Sequence, residues 1–288
     1  MVFHQVAFEE RSRFQTRIAA LEKEAIYPIG DDFFQLDHGD DYFAFFDRLG
    51  EVKYYVGLET HNDWNDDGDR DEHDHRVVAV GAWVLRQLPD TSGSSPRCAW
   101  YLCDFKVHPD YQRQLLSLRL LRYAISQNQA ICDRGYAISM NPSGDRDNRL
   151  VKAFCRFRSI HFHHSVNLGI YSLEASSMRI LEPLLRHHRG PISYLSLKGI
   201  KDLRLQSSGQ MLPLLHVQWG NHKGHLSHIP QSTRPEPVAG YTHMFCVPEN
   251  DKLTDVLAQK GIQPGAIASV ISHGMDNTDW RFILTSDI

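Results

Sequence analysis

Apolar residues recur at helical spacing over residues 8–26, where Phe14, Ile18, Leu21 and Ala25 share one side. Residues 27–39 are irregular, with Pro28 and Gly30 as breakers, and 41–49 form a short aromatic helix ended by Gly50. Strand patterning follows at 52–58 and 77–88, which together read as a hairpin with a long acidic tip. After the Ser/Gly/Pro connector 89–96, a third strand at 99–107 leads into a helix over 112–131, closed by Gly135. A strand at 136–140, a turn at 141–144 and a helix at 146–157, with Leu150, Phe154 and Phe157 on one side, come next. Residues 161–173 read as a strand pair or one bent strand, and 176–188 as a helix.

The pattern changes after Gly190. Strands are expected at 192–197 and over 203–219, with a hairpin at Ser207-Ser208-Gly209. A His/Gly/Pro-rich linker fills 220–240, followed by a strand (244–247), a helix (252–260) and strands at 267–272 and 281–285. No internal repeat is visible. The expected division is residues 1–189 and a smaller α/β region at 190–288. That later region either builds its own sheet or extends the first, and it leaves room for a homodimer.

The chain has 288 residues with 42% hydrophobic content, enough for a large core. No apolar run reaches the roughly 18 residues needed to cross a bilayer. The first ten residues carry no secretion signal. The five cysteines form no CxxC pair, which suits a reducing cytoplasm, and each reads as a single buried thiol. Net charge is −4 but unevenly spread. Asp and Glu dominate 59–75, whereas Lys and Arg are in excess over 97–158.

That basic excess surrounds the most informative segment. A strand runs into Val107-His108-Pro109, the chain turns, and a helix starts near Gln112. Free backbone N–H groups at a helix start favour an anion, and the basic surroundings suit a phosphate-bearing ligand. Nucleic acid is not expected, because neither an aromatic-plus-basic RNA signature nor zinc-finger spacing is present.

Three stretches carry a family resemblance: Leu102 to Tyr111, Gln112 to Ser117, and Asn148 to Ile160. In their order they resemble the fourth strand, the pyrophosphate loop and the pantetheine-side helix of GNAT acyltransferases, over roughly residues 8–173. The resemblance implies an α/β (α+β) fold with a mixed, mostly antiparallel sheet flanked by helices. It implies an acyl-CoA-dependent N-acyltransferase acting on a small-molecule or peptide amine, with acetyl-CoA or a longer acyl-CoA as donor. By that likeness the backbone of Phe105, Lys106 and Val107 pairs with pantetheine. Gln112, Arg113, Gln114, Leu115, Leu116 and Ser117 hold the pyrophosphate, Asn148 holds the pantetheine arm, Asp104 is the base and Cys155 the acid. The sequence departs from the family where Leu115 replaces a loop glycine, where Cys155 replaces the usual Tyr, and where Ser159-Ile160 replaces Gly-Phe. Two alternatives follow from these departures: a donor delivered by an acyl carrier protein, and a non-catalytic acyl-CoA sensor or assembly module.

Two histidine sets and one acidic loop remain. His161 and His163 share a strand face and are candidate proton carriers. The remaining clusters are His187-His188 and His216, His222, His225 and His228; the last three could line a metal site by their three-residue spacing but, with no acid or Cys nearby, read as loop histidines of the linker. Asp63, Asn65, Asp67, Asp69 and Asp74 follow calcium-loop spacing around Gly68, although strands rather than helices flank them. They make a weak Ca²⁺ site or a solvated hairpin tip.

Overall fold

The computed structural model describes residues 1–29, 32–59, 76–88, 97–142, 148–157, 160–219 and 232–288. The first part holds β1 (Val2–Val6), α1 (Arg11–Glu22), β2 (Tyr27–Ile29), β3 (Asp32–Asp37), α2 (Ala44–Asp47), β4 (Glu51–Leu58) and β5 (Val77–Leu88). β6 (Arg97–Val107), α3 (Leu116–Asn128), β7 (Gly135–Met140), α4 (Arg149–Cys155), β8 (His163–Glu174) and α5 (Ala175–Arg189) follow. The rest is β9 (Ile192–Ser196), β10 (Asp202–Leu205), β11 (Leu214–Trp219), β12 (Ser232–Arg234), β13 (Thr242–Pro248), α6 (Lys252–Gln259) and β14 (Ala266–His273).

Eleven strands form one sheet in the order β1-β4-β5-β6-β7-β14-β8-β13-β11-β9-β12. Most pairs are antiparallel; β6–β7 and β11–β13 are parallel. The expected mixed, mostly antiparallel sheet flanked by helices is therefore the observed one. The later region extends the first sheet, and β14 and β13 flank β8 on its two sides. A small second sheet, β10-β3-β2, joins β2 and β3 near the start of the chain to β10 in its later part.

Three apolar clusters hold helices to this sheet. Phe14, Ile18 and Leu21 of α1 and Phe45 and Phe46 of α2 pack with Val56, Val80 and Val84 on one face. Leu116, Leu120 and Leu121 of α3 and Phe154 of α4 pack with Tyr55, Trp83 and Leu102 on the other. Each buried leucine contributes about 1.5–3 kcal/mol relative to exposure. β5 is buried on both faces from Val77 to Val84, which explains its almost uninterrupted apolar run. Leu181 and Leu185 of α5 and Leu253 and Leu257 of α6 cover the later strands.

Several expectations are corrected. Residues 2–6 form the edge strand β1 paired with β4, and the long first helix is confined to Arg11–Glu22. Residues 27–29 and 32–37 are paired strands, not irregular chain. Pro28 is tolerated because β2 lies at the edge of its sheet. The stretch 203–219 splits into β10 and β11, which lie in different sheets. Gly135 begins β7 rather than ending a helix, and α3 stops at Asn128. Residues 281–285 form no strand but run from one short 3-10 turn (Trp280–Phe282) to the start of another (Thr285–Asp287), each capped by a carboxylate: Asp279 accepts from the Arg281 N–H at 3.1 Å and Asp287 from the Leu284 N–H at 3.4 Å. Cys246 is buried, Cys98, Cys103 and Cys132 are half-buried, and Cys155 is exposed, so the uniform buried reading does not hold.

Candidate functional site

The strand–turn–helix segment opens a wedge in the sheet. β6 and β7 pair in parallel only at Trp100–Gly135, Tyr101–Tyr136 and Leu102–Ala137. β7 then continues to Met140 against β14, and β6 continues to Val107 against β5. Among the described residues, no strand pairs with Cys103–Val107 on the side facing β7. That edge presents free backbone donors and acceptors inside the fold, where such groups need a partner.

A bulge sits at the mouth of the wedge. Val80 pairs with Lys106 and Ala82 with Cys103, so Gly81 faces both Asp104 and Phe105. Asp104 has φ 55°, a left-handed conformation that non-glycine residues adopt at a cost. A Cβ on Gly81 would lie 2.9 Å from the Trp83 ring, so a larger residue there would displace that ring from beside Phe105. The bulge sends successive side chains to opposite faces. Phe105 packs between Trp83, at 5.0 Å between ring centres, and Phe154 of α4, at 6.1 Å. Asp104 and Lys106 point to the α1 face.

Asp104 and Lys106 join a buried polar cluster there. Tyr42 Oη and Lys106 Nζ both donate to the Asp104 carboxylate. Lys106 Nζ also donates to Glu22 Oε1 at 2.9 Å, and His38 Nδ1 lies 2.7 Å from the same oxygen. Burial alone raises the Glu22 carboxyl, but the His38 hydrogen bond and the Lys106 charge outweigh it and hold it at about 2. Burial opposes the Lys106 charge, and Asp104 and Glu22 together push the ammonium above its ordinary value. Burial and the Asp104 charge push the Tyr42 phenol well up. Alternation along β6 signals that Asp104 and Lys106 share a face. Glu22, His38 and Tyr42 carry no such signal, because they arrive from α1 and the loop after β3.

Beyond the wedge, the chain does not enter a regular helix at Gln112. Pro109–Gln114 winds as a 3-10 turn, Leu115 takes the left-handed conformation (φ 53°, ψ 27°), and α3 starts at Leu116. Leu115 is 65% exposed, so its side chain points to solvent while its backbone makes the turn a glycine would make. A right-handed turn followed by a left-handed residue gathers successive N–H groups into a concave anion cradle. The N–H groups of Leu116 and Ser117, in the first turn of α3, have no intrahelical acceptor, whereas Gln112 and Gln114 lie inside the 3-10 turn. For an L-residue the left-handed state costs about 1–2 kcal/mol, and glycine returns about half of that gain as chain entropy. Leu115→Gly is therefore expected to raise the thermal midpoint by about 2 °C. A lower midpoint in scanning calorimetry would show that the leucine side chain stabilises the turn.

Asn148 caps α4. Its Oδ1 accepts from the N–H groups of Leu150 and Val151, each at 3.1 Å, and its Nδ2 donates to Ser139 Oγ at 3.0 Å and Asn141 Oδ1 at 2.9 Å. The side-chain amide thus ties α4 to the end of β7. Cys155 is at the exposed C-terminal end of α4.

The histidines lie elsewhere. His163 and His164 pair with Ser272 and Ile271, beside the start of β7 and at the opposite end of the sheet from the wedge mouth. His161 accepts through its backbone oxygen from His273. His216 is buried on β11, 3.0 Å from Thr285 Oγ1. His222, His225, His228 and the calcium-loop residues Asp63, Asn65, Asp67, Asp69 and Asp74 lie outside the described residues. Among the described residues no group of His, Cys, Asp and Glu is arranged to hold a metal. Among them, too, no helix is long and apolar enough to cross a membrane.

No family model matches the chain. An uncharacterized protein of Acanthamoeba polyphaga mimivirus is 23% identical over 251 residues, spanning 86% of this chain and 68% of that protein. The chain is similar to a tandem GNAT protein from the clavulanic acid biosynthesis pathway, with 13% identity over 96% of this chain and 99% of the other, at a TM-score of 0.47. It is similar to a GCN5-related N-acetyltransferase from Kribbella flavida, with 10% identity over 96% of this chain and 71% of the other, at a TM-score of 0.41. Arabidopsis thaliana NAA60 in complex with acetyl-CoA matches 58% of this chain and 89% of its own, at 12% identity and a TM-score of 0.39.

Proposed function

We propose that the chain is a divergent GNAT-type N-acyltransferase that uses an acyl-CoA donor. One observation carries the reading: β6 and β7 part after Leu102 and Ala137, at a bulge, directly before a turn with converging amides. The open edge at Phe105, Lys106 and Val107 supplies backbone groups to the two amides of a pantetheine arm. The amides around Leu115, Leu116 and Ser117 face the pyrophosphate, and the arm lies against Phe105, beside α4. Asn148 serves by fixing α4 next to that arm.

The transfer is a direct attack. The acceptor nitrogen bonds to the thioester carbonyl carbon, the carbon–sulfur bond breaks, and the CoA thiolate leaves. Asp104 takes the proton from nitrogen, and Cys155 is the proposed source of a proton for the thiolate. In this reading, backbone N–H groups beside the bulge would stabilise the developing oxyanion.

Titration with acetyl-CoA, longer acyl-CoAs and desulfo-CoA tests the reading by thermal shift. A ligand at one hundred times its Kd adds about 2.7 kcal/mol to stability. The expected result is a saturable rise with each, and release of CoA thiol when amines are added. No shift with any of them would remove the CoA reading, and carrier-bound donors would then be tested. Binding without thiol release from a broad amine panel would instead mark a sensor.

A further inference from the structure

Two cysteines from separate elements meet at the end of the β6–β7 pairing away from the wedge. Cys98 is the second residue of β6, and Cys132 follows α3 in the turn that leads into β7. The pairing starts at Trp100–Gly135, and just before it the Trp100 N–H donates to the Arg134 carbonyl at 3.0 Å. Neighbouring strands lie about 4.8 Å apart, inside the Cα separation of about 4.4–6.8 Å that a disulfide spans. Alternation along β6 puts Cys98 on the face that carries Trp100 and Leu102, and Cys132 packs against the same apolar cluster. The Cys132 thiol donates to the Cys98 carbonyl at 3.3 Å and lies 3.6 Å from the Arg134 carbonyl. The two side chains also meet: burial raises the Cys132 thiol above its ordinary value, the Arg134 backbone opposes, and a hydrogen bond with the Cys98 side chain adds to the rise. Both cysteines are half-buried, so a small reagent can reach them.

The remaining thiols are placed differently. Cys103 packs on the opposite face of β6, Cys155 is at the exposed end of α4, and Cys246 donates to the Ile283 carbonyl at 3.3 Å. The stretch between Cys98 and Cys132 holds the rest of β6, the bulge at Asp104, the 3-10 turn, Leu115 and α3. Trp100 Nε1 donates to the Asn128 carbonyl at 3.3 Å, so the end of α3 is held against β6 before any covalent bond forms. A bond between the two sulfurs would therefore close a loop around that whole stretch without moving its ends.

We propose that Cys98 and Cys132 are a redox-active pair that closes into a disulfide and locks the start of β6 to the end of α3. With a small disulfide as the oxidant, the thiolate of one cysteine attacks it, forms a mixed disulfide and releases one small thiol. The second cysteine, deprotonated, attacks the protein sulfur of that mixed disulfide and releases the second small thiol. Two protein S–H bonds are lost, one S–S bond forms, and the oxidant takes up both electrons and both protons. The new bond constrains the unfolded chain over the enclosed stretch, which favours the native state. Its meaning as a lock on the donor side rests on the acyl-transfer reading; the pair itself stands on the contact between the two cysteines.

Hydroxyethyl disulfide is the probe, added to the folded full chain at mildly alkaline pH, with alkylation and peptide mass spectrometry as the readout. The expected product is a linked Cys98–Cys132 peptide pair that has lost two hydrogens, with the exposed Cys155 modified as the reference. Dithiothreitol should reverse it, and the oxidised form should melt about 5 °C higher. Cys98→Ser and Cys132→Ser should each stop at a mixed disulfide on the remaining cysteine, with no rise in midpoint. Free thiols at both positions while Cys155 is modified, or separate adducts on both, would overturn the pair. Acetyl-CoA titration and limited proteolysis then test the lock. Equal donor affinity before and after oxidation, with slower cleavage between residues 98 and 132, is the expected result. Linked peptides with unchanged cleavage, or with lost donor affinity, would overturn the lock. Absence of CoA binding in both forms would remove the donor reading and leave the linked peptides as proof of the pair.

Discussion

Asp104→Asn is expected to abolish most turnover and to destabilise the protein at the same time. The catalytic loss follows from its proposed role. A positioned base contributes about 10²–10⁴-fold, and an amide cannot accept the ammonium proton. The stability loss follows from its partners. Asp104 and Lys106 side chains are 5% and 4% exposed, and the pair is joined by Tyr42 and Glu22. Removing one member of a buried ion pair costs about 3–5 kcal/mol, and Glu22 should keep the loss at the lower end. The two effects separate in the double variant Asp104→Asn with Lys106→Met. Deleting both charges should restore most of the midpoint while turnover stays low, and acetyl-CoA affinity should remain near that of the parent, since backbone groups hold the donor. Single-turnover kinetics, urea unfolding and CoA titration on the three variants decide it. Parent-like turnover in Asp104→Asn would end the role of this carboxylate as base.

The strand, turn and helix around Pro109 are legible in the residues themselves. Alternation through Leu102 to Val107, Pro109 and the apolar spacing after Leu116 announce the three elements, and each depends on local forces. The parting of β6 from β7 is different. It depends on where β14 pairs, and β14 lies far along the chain from β7, so no local pattern encodes it. The same reason hides Glu22, His38 and Tyr42, whose meeting with Lys106 is long-range. Val2–Val6 gives little signal because a five-residue edge strand interrupted by His4 and Gln5 has no clear alternation. Residues 281–285 read as a strand because their apolar run is real. Ile283 and Leu284 are buried, but carboxylate caps rather than a strand partner satisfy the backbone.

Glu22 should set the acid limit of the fold. Its carboxyl stands at about 2 in the folded protein against 4.5 for the unperturbed group. A lowered folded-state value stabilises only while the group is charged. Its contribution is complete above pH 4.5 and lost as pH falls toward 2, and the difference is worth about 3 kcal/mol. Glu22→Gln should therefore lower stability by about that amount at pH 7, and the gap should close as the pH approaches 2. Urea unfolding at several pH values measures this directly, and parallel acid limbs in the two proteins would refute it. Turnover adds a second readout. Glu22 touches no reacting atom in the proposed mechanism; it holds Lys106, and Lys106 holds Asp104. The variant should lower kcat with little change in KM for the donor, and Glu22→Asp should recover part of it. Ionic groups this deep rarely add net stability over a well-packed apolar set. What the cluster does secure is the geometry at Asp104. A left-handed residue at the bulge persists only where its surroundings over-determine it, and Tyr42 and Lys106 converging on its carboxylate do so. Loosening Glu22 should therefore let the bulge relax, and the catalytic loss should track that relaxation rather than any loss of donor binding.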